Sequence, residues 1–465
     1  MKINEEEPQL SRSLKTRHIQ LIALGGIIGS GYFLGTGYII STTGPGAFLS
    51  YLLGGIIVVC VMCCLGELAV AMPISGSFVT YSRKLISPAW ACGVGWSYWL
   101  TWVTYIPSEM IAGGIIMNNY FPAISAMWWA ILFGLIVTVI NLSQVESFGE
   151  IEFWLALIKI MALFMFVMLA ALIFLGIIGE QGFIGTKFLL SDGGFTPKGP
   201  LSVLLTMVIV MVNFQGSEII GLAAGESGNP AKSIPRAIKN VSFRIISLYL
   251  IPILLLVSIT PWQKAGLEES VFATALNSYG MPWAGGLFSL VVLTAALSCS
   301  NSGLYGCSRA IFALAQEDMA PQWLAKLNRR GVPQNASLIS IIGCWITIIF
   351  YTLDTTKSVY TYMLALSGFT GAIAWISICW CQLKFRRRLK KNGKDASSLQ
   401  YRTPFFPYLT HFGIWAQIAC LFFVAYNEDL RTSLYLGVPL LLLPILWYKA
   451  REYSRLRALS HAPTD

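Results

Sequence analysis

Ile22-Ala-Leu-Gly25-Gly26-Ile-Ile-Gly29-Ser30-Gly31 and Val212-Asn213-Phe214-Gln215-Gly216-Ser217-Glu218 are the two stretches whose reading decides the fold. Each interrupts an apolar segment long enough to cross a bilayer as a helix, which takes about 20 residues. The first puts four glycines into seven residues, and glycine weakens a helix while letting a ligand approach the backbone. The second sets Gln215 and Glu218 mid-segment, where a carboxylate in hydrocarbon is costly and marks a pathway or a site. Two breaks, one in each half of an apolar chain, suggest a small polar solute bound between discontinuous helices.

Working outward, hydrophobic residues make up 55% of the 465 and charged residues 12%, about half the charged share of a soluble protein. The sequence therefore predicts an all-α polytopic membrane protein. The net charge of +10 lies at the ends of apolar segments, above all in Lys384-Phe-Arg386-Arg387-Arg388-Leu-Lys390-Lys391. That is the pattern of cytoplasmic loops facing anionic lipid, not of a nucleic-acid surface. The ten cysteines sit in apolar surroundings, where thiols behave as small hydrophobes. Three histidines, at His18, His411 and His461, and no zinc spacing give no metal site, no cofactor and no catalytic constellation.

Twelve transmembrane helices are expected, at about 19–42, 47–71, 91–116, 126–143, 153–178, 201–224, 243–260, 284–312, 335–352, 359–380, 408–426 and 433–448. With the N-terminus inside, one side holds Arg12, Lys15, Arg17, Arg83, Lys84, Lys232, Arg236, Lys239, Arg244, Lys326, Arg329, Arg330, the 384–402 cluster and Lys449, Arg451, Arg455 and Arg457. The other holds only Lys187, Lys198, Lys264, Lys357 and Arg431, so both termini are placed in the cytoplasm. The broken helices are then spans 1 and 6, crossing in opposite directions. This gives a five-plus-five inverted repeat over 19–380 (spans 1–5 about 19–178, spans 6–10 about 201–380), accessory spans 11–12 over 408–448, and cytoplasmic tails 1–18 and 449–465.

A break strips N–H and C=O groups of their helical partners. The N-terminus of the second half-helix suits a carboxylate, and the carbonyl end of the first suits an ammonium, so one small zwitterion satisfies both. Substrate contacts are expected from Ile27, Gly29, Ser30, Gly31, Phe214, Gly216 and Glu218 at the breaks. Tyr98 and Trp102, four apart on one helix face, and Glu109 beyond Pro107 are expected to add a wall and a charge. Asn301, within Ser298-Cys-Ser300-Asn301-Ser302, is the candidate opposite span 1. Lys159 and Glu218 are the candidate proton-coupling groups and Glu226 the candidate gate. Each has a plainer reading: glycines for close helix packing, a lysine that snorkels, an aromatic belt, or hydroxyls that bond helices together.

The chain resembles the bacterial amino acid permease family of the amino acid–polyamine–organocation superfamily. The likeness rests on Lys15-Thr-Arg17-His18 before the first break, Gly66-Glu67-Leu68-Ala69, Pro73-Ile-Ser75-Gly76-Ser77-Phe78, and Phe148-Gly149-Glu150-Ile-Glu152-Phe153-Trp154 with Lys159 behind it. It continues through Phe214-Gln215-Gly216-Ser217-Glu218, Ala224-Gly225-Glu226-Ser227, Ile234-Pro235-Arg236-Ala237, Ser300-Asn301-Ser302-Gly303 and Tyr401-Arg402, over nearly the entire chain. Within the family the look is of lysine and S-methylmethionine permeases. The resemblance implies an inner (plasma) membrane symporter working by alternating access on the proton motive force. In it, Lys159 would take the place of a sodium ion and Glu218 would shape the site. The expected substrate is a cationic amino acid such as lysine. The alternatives are S-methylmethionine or a neutral amino acid, sodium coupling, an amino acid exchanger and, outside transport, a membrane amino acid sensor.

Overall fold

The computed structural model describes residues 28–74, 76–142, 145–179, 182–223, 230–267, 269–328, 331–353 and 359–460. The tail 1–18, Gly25, Gly26, Ile27 and Glu226 lie outside the described residues. No strand occurs among those described. The chain enters at Ile28 and Gly29 as irregular backbone, then forms α1, a π-turn Gly31–Gly35 running into Thr36–Thr43. There follow α2 (Ala47–Ala71), α3 (Ser77–Leu85), α4 (Pro88–Tyr120), α5 (Ala126–Leu142) and α6 (Val145–Phe174). The interrupted segment is α7 (Leu201–Leu205 continuing as Met207–Val212) and α8 (Ile219–Ala223). Next come α9 (Pro230–Arg244, then Ile245–Leu250 and Ile251–Ile259), α10 (Val271–Ser278), α11 (Pro282–Gln316), α12 (Gln334–Leu353), α13 (Val359–Lys391), α14 (Tyr408–Val424) and α15 (Thr432–Ser460).

Seven of the described helical segments are long and apolar enough to cross a membrane. The polar groups are arranged inside out. Leu132, Leu135 and Val139 on α5, Met161, Phe164 and Met168 on α6 and Ile346, Ile349 and Phe350 on α12 are exposed, while Glu67, Glu109, Lys159 and Glu218 are buried. Apolar faces of this extent ask for a lipid solvent. The ten thiols are all buried. The basic run after residue 380 continues α13 as helix to Lys391. Between α9 and α11 the chain forms the short helix α10.

The long helix α4 packs on both α11 and α13. Small residues allow close approach. A Cβ at Gly303 of α11 would overlap the Trp102 ring, and one at Gly368 of α13 would overlap the Val208 carbonyl. On one side α10 seals the core with aromatic rings: Phe272 stacks on Phe288 at 5.5 Å and 18°, with Tyr32, Phe33 and Phe166 against the pair.

Elsewhere, the buried Glu67 of α2 accepts two hydrogen bonds from Arg386 of α13 (Nε 2.6 Å, Nη2 2.7 Å), one from Gln382 at 3.1 Å and one from the Thr403 N–H at 2.6 Å. One carboxylate thus ties α2, α13 and the segment before α14 together. Removing one partner of a buried ion pair leaves an uncompensated charge. Glu67→Ala is expected to cost on the order of 3–5 kcal/mol of stability, read as a lower melting temperature of the detergent-purified protein. Arg386→Ala is expected to fall in the same direction.

Candidate functional site

The site is built where the two breaks meet. The Asn213–Glu218 segment lacks regular helix because Gly216 adopts φ +97°, a conformation a side chain would strain. Ser217 Oγ turns back to the Phe214 carbonyl at 2.9 Å, and the Gly216 N–H points at both oxygens of Glu218 at 3.1 Å. The Glu218 carboxylate also accepts from Tyr98 of α4 at 2.8 Å and from Trp375 Nε1 of α13 at 3.0 Å. Glu218 therefore fixes the second break between two neighbouring helices. Gln215 is held on α13, its Nε2 donating to the Ser367 carbonyl at 3.0 Å.

At the first break, the Ser30 N–H donates to Glu109 Oε2 at 2.7 Å. This sets an acidic side chain on the opening N–H of a helix, where the dipole and unsatisfied donors favour an oxygen acceptor. The hydroxyls of Ser30, Tyr105 and Tyr360 crowd the same carboxylate. Gly29 is needed here for close approach, since a Cβ would overlap Glu109 Oε1 and the Tyr105 hydroxyl. Lys159 reaches the break from α6, donating to the Ile28 carbonyl at 3.0 Å and to Ser298 Oγ of α11 at 2.8 Å. It is fully buried and does not snorkel to a surface. The two breaks adjoin: Asn213 Oδ1 lies 2.9 Å from where a Cβ on Gly31 would stand.

Of the residues singled out from the sequence, the structure brings Gly29, Ser30, Gly31, Glu109 and Lys159 together at the first break, and Tyr98, Gly216 and Glu218 at the second. Trp102 lies between Tyr98 and Tyr105, its ring edge-on to both at 6.4 and 5.8 Å. Asn301 is buried three residues beyond Ser298, on the same helix face, with neither side-chain amide atom hydrogen-bonded. The Phe214 ring packs on Tyr249 at 4.5 Å and on Tyr51 at 6.0 Å. Arg244, grouped by sequence with the cytoplasmic cations, is buried beside the second break and donates to Ser217 Oγ at 3.1 Å.

Sequence reasoning passed over Tyr105, Asn213, Tyr360 and Trp375. Tyr105 had a signal, because Tyr98, Trp102, Tyr105 and Glu109 form one stripe of α4 at helical spacing. Tyr360 and Trp375 had none, being two aromatics among many in an apolar helix.

A sequence model of the family described as amino acid permease matches residues 18–459. The amino-acid permease RocC of Bacillus subtilis (strain 168) is 39% identical over 446 residues, covering 95% of this chain and 94% of that protein. The lysine-specific permease LysP of Escherichia coli (strain K12) is 37% identical over 467 residues, covering 95% and 94%. The gamma-aminobutyric acid permease of Bacillus subtilis (strain 168) is 36% identical over 457 residues, covering 97% and 96%. These are transporters and not enzymes, and they use no enzymatic cofactor. With its paired breaks buried among apolar helices and this match along almost its whole length, the chain is a multi-pass membrane protein that belongs to the amino acid permease family.

Proposed function

We propose that this permease is a secondary active importer that couples amino acid uptake to protons and prefers a cationic substrate such as lysine. The observation that carries the reading is the meeting of the two breaks, with Glu109, Lys159 and Glu218 buried at their edges. An amino acid's carboxylate suits the Ser30–Gly31 end of α1, and its ammonium suits carbonyls left without helical partners. Glu109 already sits on that helix end, so an arriving carboxylate adds negative charge to negative charge. A cationic side chain offsets this, and a neutral one does not. The lysine-specific relative supports the same choice.

Lys159 supplies the coupling in this reading. Protonated, it holds the Ile28 carbonyl against Ser298. On losing its proton it keeps two N–H donors but loses its charge, so its hold on the Ile28 carbonyl and Ser298 weakens. The chain spans the membrane twelve times with both termini in the cytoplasm, in a bacterial plasma membrane with anionic lipid at its basic loops. Spans 1, 2, 6 and 7 rock against spans 3, 4, 8 and 9, and Glu226 gates the cytoplasmic side. The gamma-aminobutyric acid permease among the relatives favours a second reading, a substrate without a cationic side chain.

A competition panel tests the choice. Proteoliposomes bearing an inward proton gradient take up labelled lysine against excess lysine, arginine, methionine, S-methylmethionine, leucine and phenylalanine at two pH values. Displacement by the cationic species alone, with uptake lost on collapse of the gradient, is the expected result. Uptake that follows sodium at fixed pH, or that requires preloaded amino acid, overturns the coupling.

A further inference from the structure

We infer that Asn213 is a specificity-determining residue, whose side-chain oxygen accepts a hydrogen bond from a donor on the substrate's side chain. The inference rests on the amino acid import reading above and goes beyond it in naming how the side chain is read.

Thr36, Tyr51 and Asn213 form a chain of hydrogen bonds that links α1, α2 and the second break. Thr36 Oγ1 donates its single proton to the Tyr32 carbonyl. The Tyr51 hydroxyl, 2.6 Å from Thr36 Oγ1, must then be the donor of that pair. Having spent its only proton, Tyr51 can accept alone, and it does so from Asn213 Nδ2 at 2.6 Å. This fixes which end of the amide is nitrogen. The oxygen, Oδ1, is left on the other side, fully buried and with no hydrogen-bond partner. The backbone of Asn213 does not need it, since its N–H donates to the Ile209 carbonyl and its carbonyl accepts from the Tyr249 hydroxyl.

A buried acceptor without a partner is costly, and its persistence asks for a ligand. Oδ1 faces Gly31 at the first break, 2.9 Å from the vacant Cβ position, and the Tyr105 hydroxyl stands 3.0 Å from the same point. Tyr105 leads on to Glu109, at the Gly29 edge. Three oxygen-bearing groups therefore follow the glycine edge of α1 in the order Asn213, Tyr105, Glu109. A side chain ending in an ammonium or guanidinium presents several donors and no acceptor, which suits this row. An aliphatic side chain would leave Oδ1 unpaired, and a site built to hydrogen-bond a substrate group rejects the analogue lacking it.

The test measures kcat/KM for labelled lysine, arginine, leucine and phenylalanine in proteoliposomes of the full-length wild type and of Asn213→Leu, Asn213→Asp and Tyr51→Phe. Asn213→Leu keeps the shape and removes the acceptor, and the cationic-over-neutral ratio is expected to fall about 10- to 100-fold. Asn213→Asp keeps the acceptor and is expected to keep the ratio. Tyr51→Phe frees the amide to turn and is expected to lower the ratio less than Asn213→Leu, and it serves as the deciding variant if Asn213→Leu does not fold. An unchanged ratio, or an equal fall for every substrate, overturns the inference and leaves amino acid import standing. A wild type that transports none of the four overturns both.

Discussion

Lys159→Ala is expected to abolish proton-driven accumulation, bringing the internal-to-external substrate ratio to about 1, and to lower the initial rate on the order of 100-fold. The size follows from what is removed. Lys159 makes two buried hydrogen bonds, to Ile28 and Ser298, each worth about 1.5–3 kcal/mol when the donor is charged. At about 1.36 kcal/mol per tenfold, the low end of their sum, about 3 kcal/mol, corresponds to roughly 100-fold. Exchange of internal for external amino acid at equal pH is expected to survive better than accumulation, since it needs no net proton movement. Lys159→Arg is the sharper probe. It keeps a cation at the junction but cannot release a proton, so binding is expected to persist while the pH dependence of uptake flattens. A Lys159→Ala protein with an unchanged pH profile removes the coupling role.

Glu218→Gln is expected to lower kcat/KM about 100-fold with only a modest fall in melting temperature. The carboxylate accepts from the Gly216 N–H, Tyr98 and Trp375 through its two oxygens. Glutamine offers one oxygen and turns an NH2 towards a donor, leaving a buried donor unpaired at a cost of about 1–3 kcal/mol, with loss of charge assistance besides. The strain falls on the break rather than on the core. Tyr98→Phe and Trp375→Phe are each expected to cost about tenfold. Either one combined with Glu218→Gln is expected to fall short of the product of the single effects, because all three groups share one carboxylate. Independent effects in that double-mutant cycle would show that Glu218 acts by another route.

The reading of the breaks depended on rarity. Glycines clustered in an apolar helix, and an acid beside them, stand out against the composition that hydrocarbon demands, so Gly29, Ser30, Gly31, Gly216 and Glu218 were legible. Lys159 was legible for the same reason, a lone cation in an apolar stretch, although sequence left open whether it snorkels. Its partner Ser298 was not assigned, because a serine one turn from others in a helix bonds its own backbone as readily as a distant lysine. Phe214, beside the break, packs its ring on Tyr51 and Tyr249, partners that no local pattern encodes. Asn213 stood in plain view inside the quoted stretch, yet only the direction of a hydrogen-bond chain through Tyr51 and Thr36 separates its acceptor from its donor.

By itself the sequence determined that this chain lives in a membrane, that two of its apolar segments carry clustered glycines or a misplaced acid, and which rare polar residues stand there. These are local properties, set by the cost of polar groups in hydrocarbon and by the backbone freedom of glycine. The tertiary structure alone decided who meets whom. It set Glu109 of α4 on the Ser30 N–H, Lys159 of α6 on the Ile28 carbonyl, and Tyr98 and Trp375 on Glu218. Those partners are 79, 131, 120 and 157 residues apart, and no periodicity along the chain encodes them. They are selected by helix packing, in which small residues fix how closely α1, α4, α7, α11 and α13 approach, and each buried polar group must find its partner at that distance.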